Sequence, residues 1–215
     1  MAADGPPGAD AERQALVSYI TPVPDDATDD DAVRVLDADR AGAGYVHNYA
    51  RLFARRPAVY AAWAGLNRAI KGGMDLRRYE LATVAAARQL RSSYCTLAHG
   101  QVLAAKFLEP AQVRDLVAHR STEAIDELEV AVMDLAEKVA ADATSVTPAD
   151  VARLVELGAS ETDVLDVVLA AAARCFFSTV LDALGVAPDA EFAEQLAPDL
   201  REALTVGRPI AGDAP

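Results

Sequence analysis

Between about residues 30 and 204, apolar residues recur every three to four positions, and no run of β-branched residues alternates at period two. That spacing places one stripe of each segment against a core and predicts α-helices throughout. Punctuation divides them. Asp29 or Asp30 caps a short helix reaching about Asp39, and the AGAG stretch Ala41–Gly44 breaks it. A second helix runs from about Tyr45 to Arg55. Pro57 suits the first turn of a third, ending at Gly72-Gly73. Asp75 caps a fourth, Leu76–Leu90, and a break at Arg91-Ser92-Ser93 leads into a fifth, about Ser92–Phe107. Pro110 starts a sixth that ends near His119, and Thr122 and Ile125 open a seventh reaching about Ala143. Thr147-Pro148 caps an eighth that stops at Gly158. Ser160 with Asp163 resembles a capping box for a long ninth helix ending at Gly185, and Pro188 begins a last, more polar one.

The ninth helix is apolar on two faces. Leu165, Val168, Leu169, Ala172, Phe176 and Val180 form one, and Val164, Val167, Ala171 and Cys175 form the other. Such a helix is covered on both sides, which predicts a central position or half-coverage by another subunit. The expected organisation is a loose N-terminal arm, 1–29, with one short ordered piece around Ala15–Ile20, a single helical domain, 30–204, and a frayed tail, 205–215. Glu80-LATVAAA-Arg88 echoes Asp166-VVLAAAA-Arg174, a weak sign of a duplicated helical unit.

Composition narrows the function classes. The 215 residues are 52% hydrophobic, so one sizeable core is available. A net charge of −13 disfavours nucleic acid and anionic membrane surfaces, both of which need a basic face. The start, MAADGPPGADAER, lacks the apolar stretch of a secretory signal. The most apolar segment is interrupted by Asp166 and Arg174, so no membrane span is expected. Two cysteines are too few for a disulfide framework, and a reducing cytoplasm is the expected compartment. His47, His99 and His119 lack metal-ligand spacing and no glycine-rich phosphate loop exists, so neither metal nor cofactor is implied.

Candidate chemistry lies in residues 79–100. Cys95 and His99 are four apart on one helix and share a face, with Ser92 three residues earlier. If Ser92 caps that helix, Cys95 sits in its first turn, where unpaired N–H groups and the positive dipole end favour a thiolate. If the Arg91–Ser93 break folds the two helices together, Glu80 approaches His99, fixing its tautomer and raising its basicity. The result is a Glu80–His99–Cys95 relay. On spacing alone, plain packing of Cys95 stays open. Cys175 reads as core packing rather than as a second redox thiol. His119 reads as a helix C-terminal interaction, and Phe53, Tyr60 and Trp63 as core or subunit contact.

Glu80, eleven residues, Ser92, two residues, Cys95, three residues, His99 resembles the Glu-x11-Cys-x2-Cys-x3-His motif of the alkylhydroperoxidase D/carboxymuconolactone decarboxylase family. GYVHNYARLFARRPAVYAAW, the Asp75-Leu76-Arg77 helix start and Asp182-Ala183-Leu184-Gly185 extend the similarity over about residues 40–190. The resemblance implies an all-α, orthogonal helical bundle of the alkylhydroperoxidase D type, assembled as a homo-oligomer from dimer to hexamer. It implies proton-relay roles for Glu80 and His99 and a peroxidatic role for Cys95. Ser92 stands where the family's resolving cysteine would be, and His47 stands where relatives commonly have proline. Ser92 can donate a hydrogen bond to a thiolate but cannot close a disulfide. The implied activity is therefore reduction of a small hydroperoxide with an external thiol reductant, or with Cys175 after rearrangement. Two alternatives remain: a lyase like the decarboxylase branch, with His99 as acid–base, and a non-catalytic oligomeric binding protein with a degenerate site.

Overall fold

The structure, a computed structural model, describes residues 17–119 and 123–213. Among these there are eleven α-helices, one 3-10 turn and no strand. The helices are α1 Asp30–Ala43, α2 Asn48–Phe53, α3 Pro57–Gly73, α4 Leu76–Gln89, α5 Ser93–Lys106 and α6 Pro110–His119. They continue with α7 Glu127–Asp142, α8 Pro148–Glu156, α9 Glu161–Ala183, α10 Glu191–Gln195 and α11 Pro198–Leu204.

Most boundaries follow from capping. Asp29 and Asp75 accept hydrogen bonds from the backbone N–H of Ala32 and Arg78. Ser160 and Asp163 form the expected reciprocal box on α9. Several boundaries differ from expectation: α2 starts at Asn48 rather than Tyr45, and α10 at Glu191 rather than Pro188. Helix α1 runs on to Ala43, because only Gly44 takes the left-handed conformation (φ 86°) that ends it. Helix α7 starts at Glu127, because Asp126 and Glu129 make their own capping box there; the expected start at Thr122 falls on a residue outside the described ones. The last polar helix is two, because Pro198 has no N–H to continue α10 and begins α11 instead.

The central helix is α4, not α9. Tyr79 through Ala87 are all buried, nine residues covering every face. Their small size explains it: Ala82, Ala85, Ala86 and Ala87 let α5, α7 and α9 approach closely. Helix α9 packs on α4, α7 and α3 with one face, burying Val164, Val167, Ala171, Phe177 and Leu181. Its other face leaves Leu165, Leu169 and Phe176 at 56%, 38% and 44% exposure. By length and hydropathy α9 resembles a membrane span, yet half of that stretch is buried inside the bundle.

Both flanking segments pack onto the bundle where they are described. Tyr19 and Val17 exchange backbone hydrogen bonds with Leu184 and Ala187, and Val23 N–H donates to Arg51. The rest of the ordered piece expected around Ala15–Ile20 lies outside the described residues. The expected frayed tail instead crosses the start of α5. Gly207 N–H donates to Ser93 Oγ at 2.7 Å, and Ile210 is buried. A Cβ at Gly207 would lie 2.0 Å from the Arg91 carbonyl oxygen, so only glycine permits this approach.

Candidate active site

The turn between α4 and α5 builds the site. Arg91 adopts φ 57°, a left-handed residue that reverses the chain in one step. The two helices then pack together, and Glu80 on α4 meets His99 on α5. His99 Nδ1 lies 2.5 Å from Glu80 Oε2, and Lys71 Nζ from α3 lies 2.9 Å from Glu80 Oε1. Glu80 is fully buried. Burial works against its ionisation, but His99 and Lys71 outweigh that and hold it below the ordinary carboxylate range. The Glu80–His99 contact expected from the sequence is therefore present.

Its electrostatic consequence differs from expectation. Burial, reinforced by the positive charge of Arg174, lowers His99 to about 4, and Glu80 only partly offsets this. The imidazole is neutral at physiological pH. Its Nδ1–H faces the Glu80 carboxylate, which leaves the Nε2 lone pair as the basic site. The Tyr79 ring, which donates its hydroxyl to Asn67, packs edge-on against the imidazole at 6.0 Å.

Cys95 is the third residue of α5 and is buried. Its hydrogen-bond partner is neither His99 nor Ser92. Arg174 Nη1, from the middle of α9, donates to Cys95 Sγ at 3.3 Å. Arg174 is 4% exposed, and its Nε–H has no acceptor. A buried guanidinium without a carboxylate partner is costly unless a nearby atom carries negative charge. The sulfur is one of its neighbours, beside the Tyr79 hydroxyl and the Phe177 ring, whose centroid lies 5.6 Å away.

Ser92 occupies the N-cap position of α5 but makes no capping hydrogen bond. Its Oγ is buried without a partner, and the carboxyl it influences is Asp182 rather than the Cys95 sulfur. The expectation that Ser92 donates to the sulfur is not met, since its buried hydroxyl has no hydrogen-bond partner among the described residues. Cys175 is half-buried, and burial raises its thiol above the ordinary value.

Cys95, His99, Lys71 and Arg174 line one cavity of about 400 Å³, walled by Tyr49, Tyr60, Trp63, Tyr94 and Phe177. Behind it lies a buried polar brace. Tyr94 donates its hydroxyl to Asp189, which also accepts from Asn48 N–H at 2.7 Å. Burial raises Asp189 to about 6 against those hydrogen bonds. His47, whose place was open on sequence grounds, is half-buried and set 2.9 Å from Asp39. Burial opposes its protonation, but Asp39 outweighs that and raises it. Among the described residues no group of three or more His, Cys, Asp or Glu is arranged to hold a metal ion.

Sequence reasoning missed Arg174 and Lys71. Arg174 registered only as an interruption of an apolar helix. A cation in the middle of a helix apolar on both faces was the available signal, since such a residue is buried with a partner. Its counterpart in the internal echo, Arg88, behaves differently: it turns to the Val117 carbonyl and Glu137.

Residues 57–138 match the Carboxymuconolactone decarboxylase family. No curated protein matches the chain. Among solved structures, a peroxidase-related protein of Ralstonia eutropha JMP134 with an alkylhydroperoxidase core is 28% identical. It aligns over 82% of this chain and 94% of its own, with a TM-score of 0.71. A peroxidase-related protein of Silicibacter sp. TM1040 is 20% identical over 84% of this chain and 94% of its own, with a TM-score of 0.69. A debrominase in complex with 2,3,4-tribromopyrrole, 14% identical over 88% of this chain and 95% of its own, shares the fold with a TM-score of 0.62. Residues 57–138, which hold the Glu80–His99 pair and Cys95, thus carry the match to the Carboxymuconolactone decarboxylase family, within an all-α bundle that has the fold of the alkylhydroperoxidase core.

Proposed function

We propose that this protein is a thiol-dependent peroxidase-like oxidoreductase that reduces small organic hydroperoxides at Cys95. One juxtaposition supports the reading: the Cys95 sulfur, held by a buried guanidinium, shares a cavity with the Nε2 edge of a carboxylate-bound histidine. Arg174 and the first turn of α5 both favour the sulfur anion. His99 Nε2 takes the thiol proton, and Glu80 keeps that nitrogen free by holding Nδ1–H.

The thiolate attacks the distal peroxide oxygen. An S–O bond forms and the O–O bond breaks, so sulfur is oxidised by two electrons to a sulfenic acid. The alkoxide leaves and takes the thiol proton relayed through His99 Nε2, becoming an alcohol. Ser92 supplies no second sulfur, so an external thiol condenses with the sulfenic acid and releases water. A second thiol then frees Cys95 and leaves as disulfide. Arg174 stands beside the charge at both ends of the step. The half-exposed apolar face of α9 supports a homo-oligomer, and the two free thiols support a reducing, cytoplasmic setting.

A lyase with His99 as acid–base draws on a different observation, the cations that line the cavity. Peroxide consumption with dithiothreitol by wild type, Cys95→Ser and Cys175→Ser decides between them. Loss of activity in Cys95→Ser alone is expected. Consumption that persists in Cys95→Ser refutes the proposal, and turnover of a lactone acid abolished only by His99→Ala replaces it with the lyase.

A further inference from the structure

In a chain of net charge −13, the cavity that holds Cys95 is lined by Arg68, Lys71 and Arg174 and by no carboxylate. Glu80 lies behind the wall and offsets Lys71. A thiolate at Cys95 offsets Arg174. The site stays positive through Arg68, which has no carboxylate partner among the described residues. Arg174 likewise has none, although it is almost fully buried. Its neighbours are the Cys95 sulfur, Tyr79 and the Phe177 ring, so no carboxylate accepts its two-pronged N–H edge. The surplus of cations also accounts for part of the depression of His99, since Arg174 and Lys71 both oppose its protonation. The remaining walls are apolar and aromatic. Tyr60 stacks on Phe53 at 5.5 Å, and Trp63 stacks on Phe177 at 5.1 Å, leaving flat faces on one side of the cavity. Its volume of about 400 Å³ suits a small organic molecule.

The geometry points to an organic-anion subsite: the substrate that reacts at Cys95 carries a carboxylate on a compact apolar or aromatic body. The carboxylate faces Arg174 and Arg68, and the body lies against Trp63, Tyr60 and Phe177. A guanidinium prefers a carboxylate, which accepts two N–H bonds in one plane. A neutral hydroperoxide gains nothing from the cations, whereas an anionic one is concentrated and oriented beside the sulfur. The inference rests on the reading that this cavity houses the reacting group, but not on peroxide being that group.

Two alkylating agents that differ in one charge test it. Iodoacetate and iodoacetamide react with a thiolate by the same displacement of iodide, and only iodoacetate carries a carboxylate. Per-site rates are read by mass spectrometry on the full chain, with Cys175 and free glutathione as references. The expected ratio of iodoacetate to iodoacetamide rates at Cys95 exceeds that of glutathione at least about tenfold, the effect of one charge-assisted contact. In Arg174→Met the ratio falls toward the glutathione value. A wild-type ratio equal to that of glutathione overturns the subsite while leaving thiol chemistry standing. Should Cys95 react with neither reagent, the peroxidase reading fails and a binding measurement decides the subsite. Trp63 is the one tryptophan of the chain and lines the cavity, so its fluorescence reports occupancy. Saturable quenching by benzoate, with benzamide at least about tenfold weaker, supports the anion site. Equal quenching by both, or by neither, overturns it.

Discussion

Replacing Arg174 with Met removes the one cation that touches the Cys95 sulfur while preserving most of the side-chain volume. At the 3.3 Å Nη1–Sγ distance, two unit charges attract by about 5 kcal/mol at an effective dielectric of 20. Part of that gain is spent in removing the guanidinium from water. The share realised should match a hydrogen bond to a charged group, about 1.5–3 kcal/mol. The iodoacetamide rate at Cys95 at neutral pH should therefore fall, by up to roughly 100-fold. Stability should move the other way or not at all, because an apolar residue of similar volume replaces a buried charge without a carboxylate partner. The paired assay is site-resolved alkylation at pH 7 and chemical denaturation of the same preparations. An unchanged alkylation rate in a folded Arg174→Met protein would falsify the claim that this guanidinium activates the sulfur.

Three further outcomes are expected. His99 is depressed to about 4 in the folded protein, against about 6.5 when unfolded. The unfolded chain therefore binds the extra proton first, and folding stability should fall as pH drops from about 6.5 to 4. Glu80, depressed below its ordinary value, adds stability above about pH 4.3 that is lost at lower pH. Wild type should thus lose more stability than His99→Gln across the histidine window; parallel denaturation curves contradict this. Gly207→Ala forces the tail off the Arg91 carbonyl and should cost about 1–3 kcal/mol, seen as a drop in Tm with loss of amide protection at the start of α5. Phe176→Glu places a charge on the exposed apolar face of α9. It should convert an assembled wild type to a smaller species in sedimentation, and an unchanged sedimentation coefficient removes that face from any subunit interface.

Much of this was written locally. The caps at Asp29, Asp75 and Ser160, the proline starts at Pro57, Pro110 and Pro148 and the break at Arg91–Ser93 follow from short-range chemistry, and the structure places them where the sequence does; the start expected at Pro188 falls instead at Glu191. The Glu80–His99 contact was legible too, because the break between their helices leaves little freedom in how α4 and α5 meet. What escaped is long-range. Arg174 lies 79 positions from Cys95, and only the packing of α9 on α4 and α5 brings them together. Asp189 and Tyr94 meet across 95 positions in the same way. The choice of α4 as the central helix turned on size rather than hydrophobicity: its alanines admit neighbours on all sides, whereas the bulkier α9 keeps one apolar face uncovered. Ser92 reaches neither a backbone N–H nor the sulfur, whose partner Arg174 comes from a distant helix that no local rule supplies.

The proposed chemistry requires a reactive sulfur at Cys95. The most direct test is mass spectrometry of the protein after one equivalent of cumene hydroperoxide with a sulfenic-acid trap present. Trap adduct on the peptide containing Cys95, with Cys175 unmodified, is the predicted result; oxidation confined to Cys175, or no adduct at either cysteine, contradicts it.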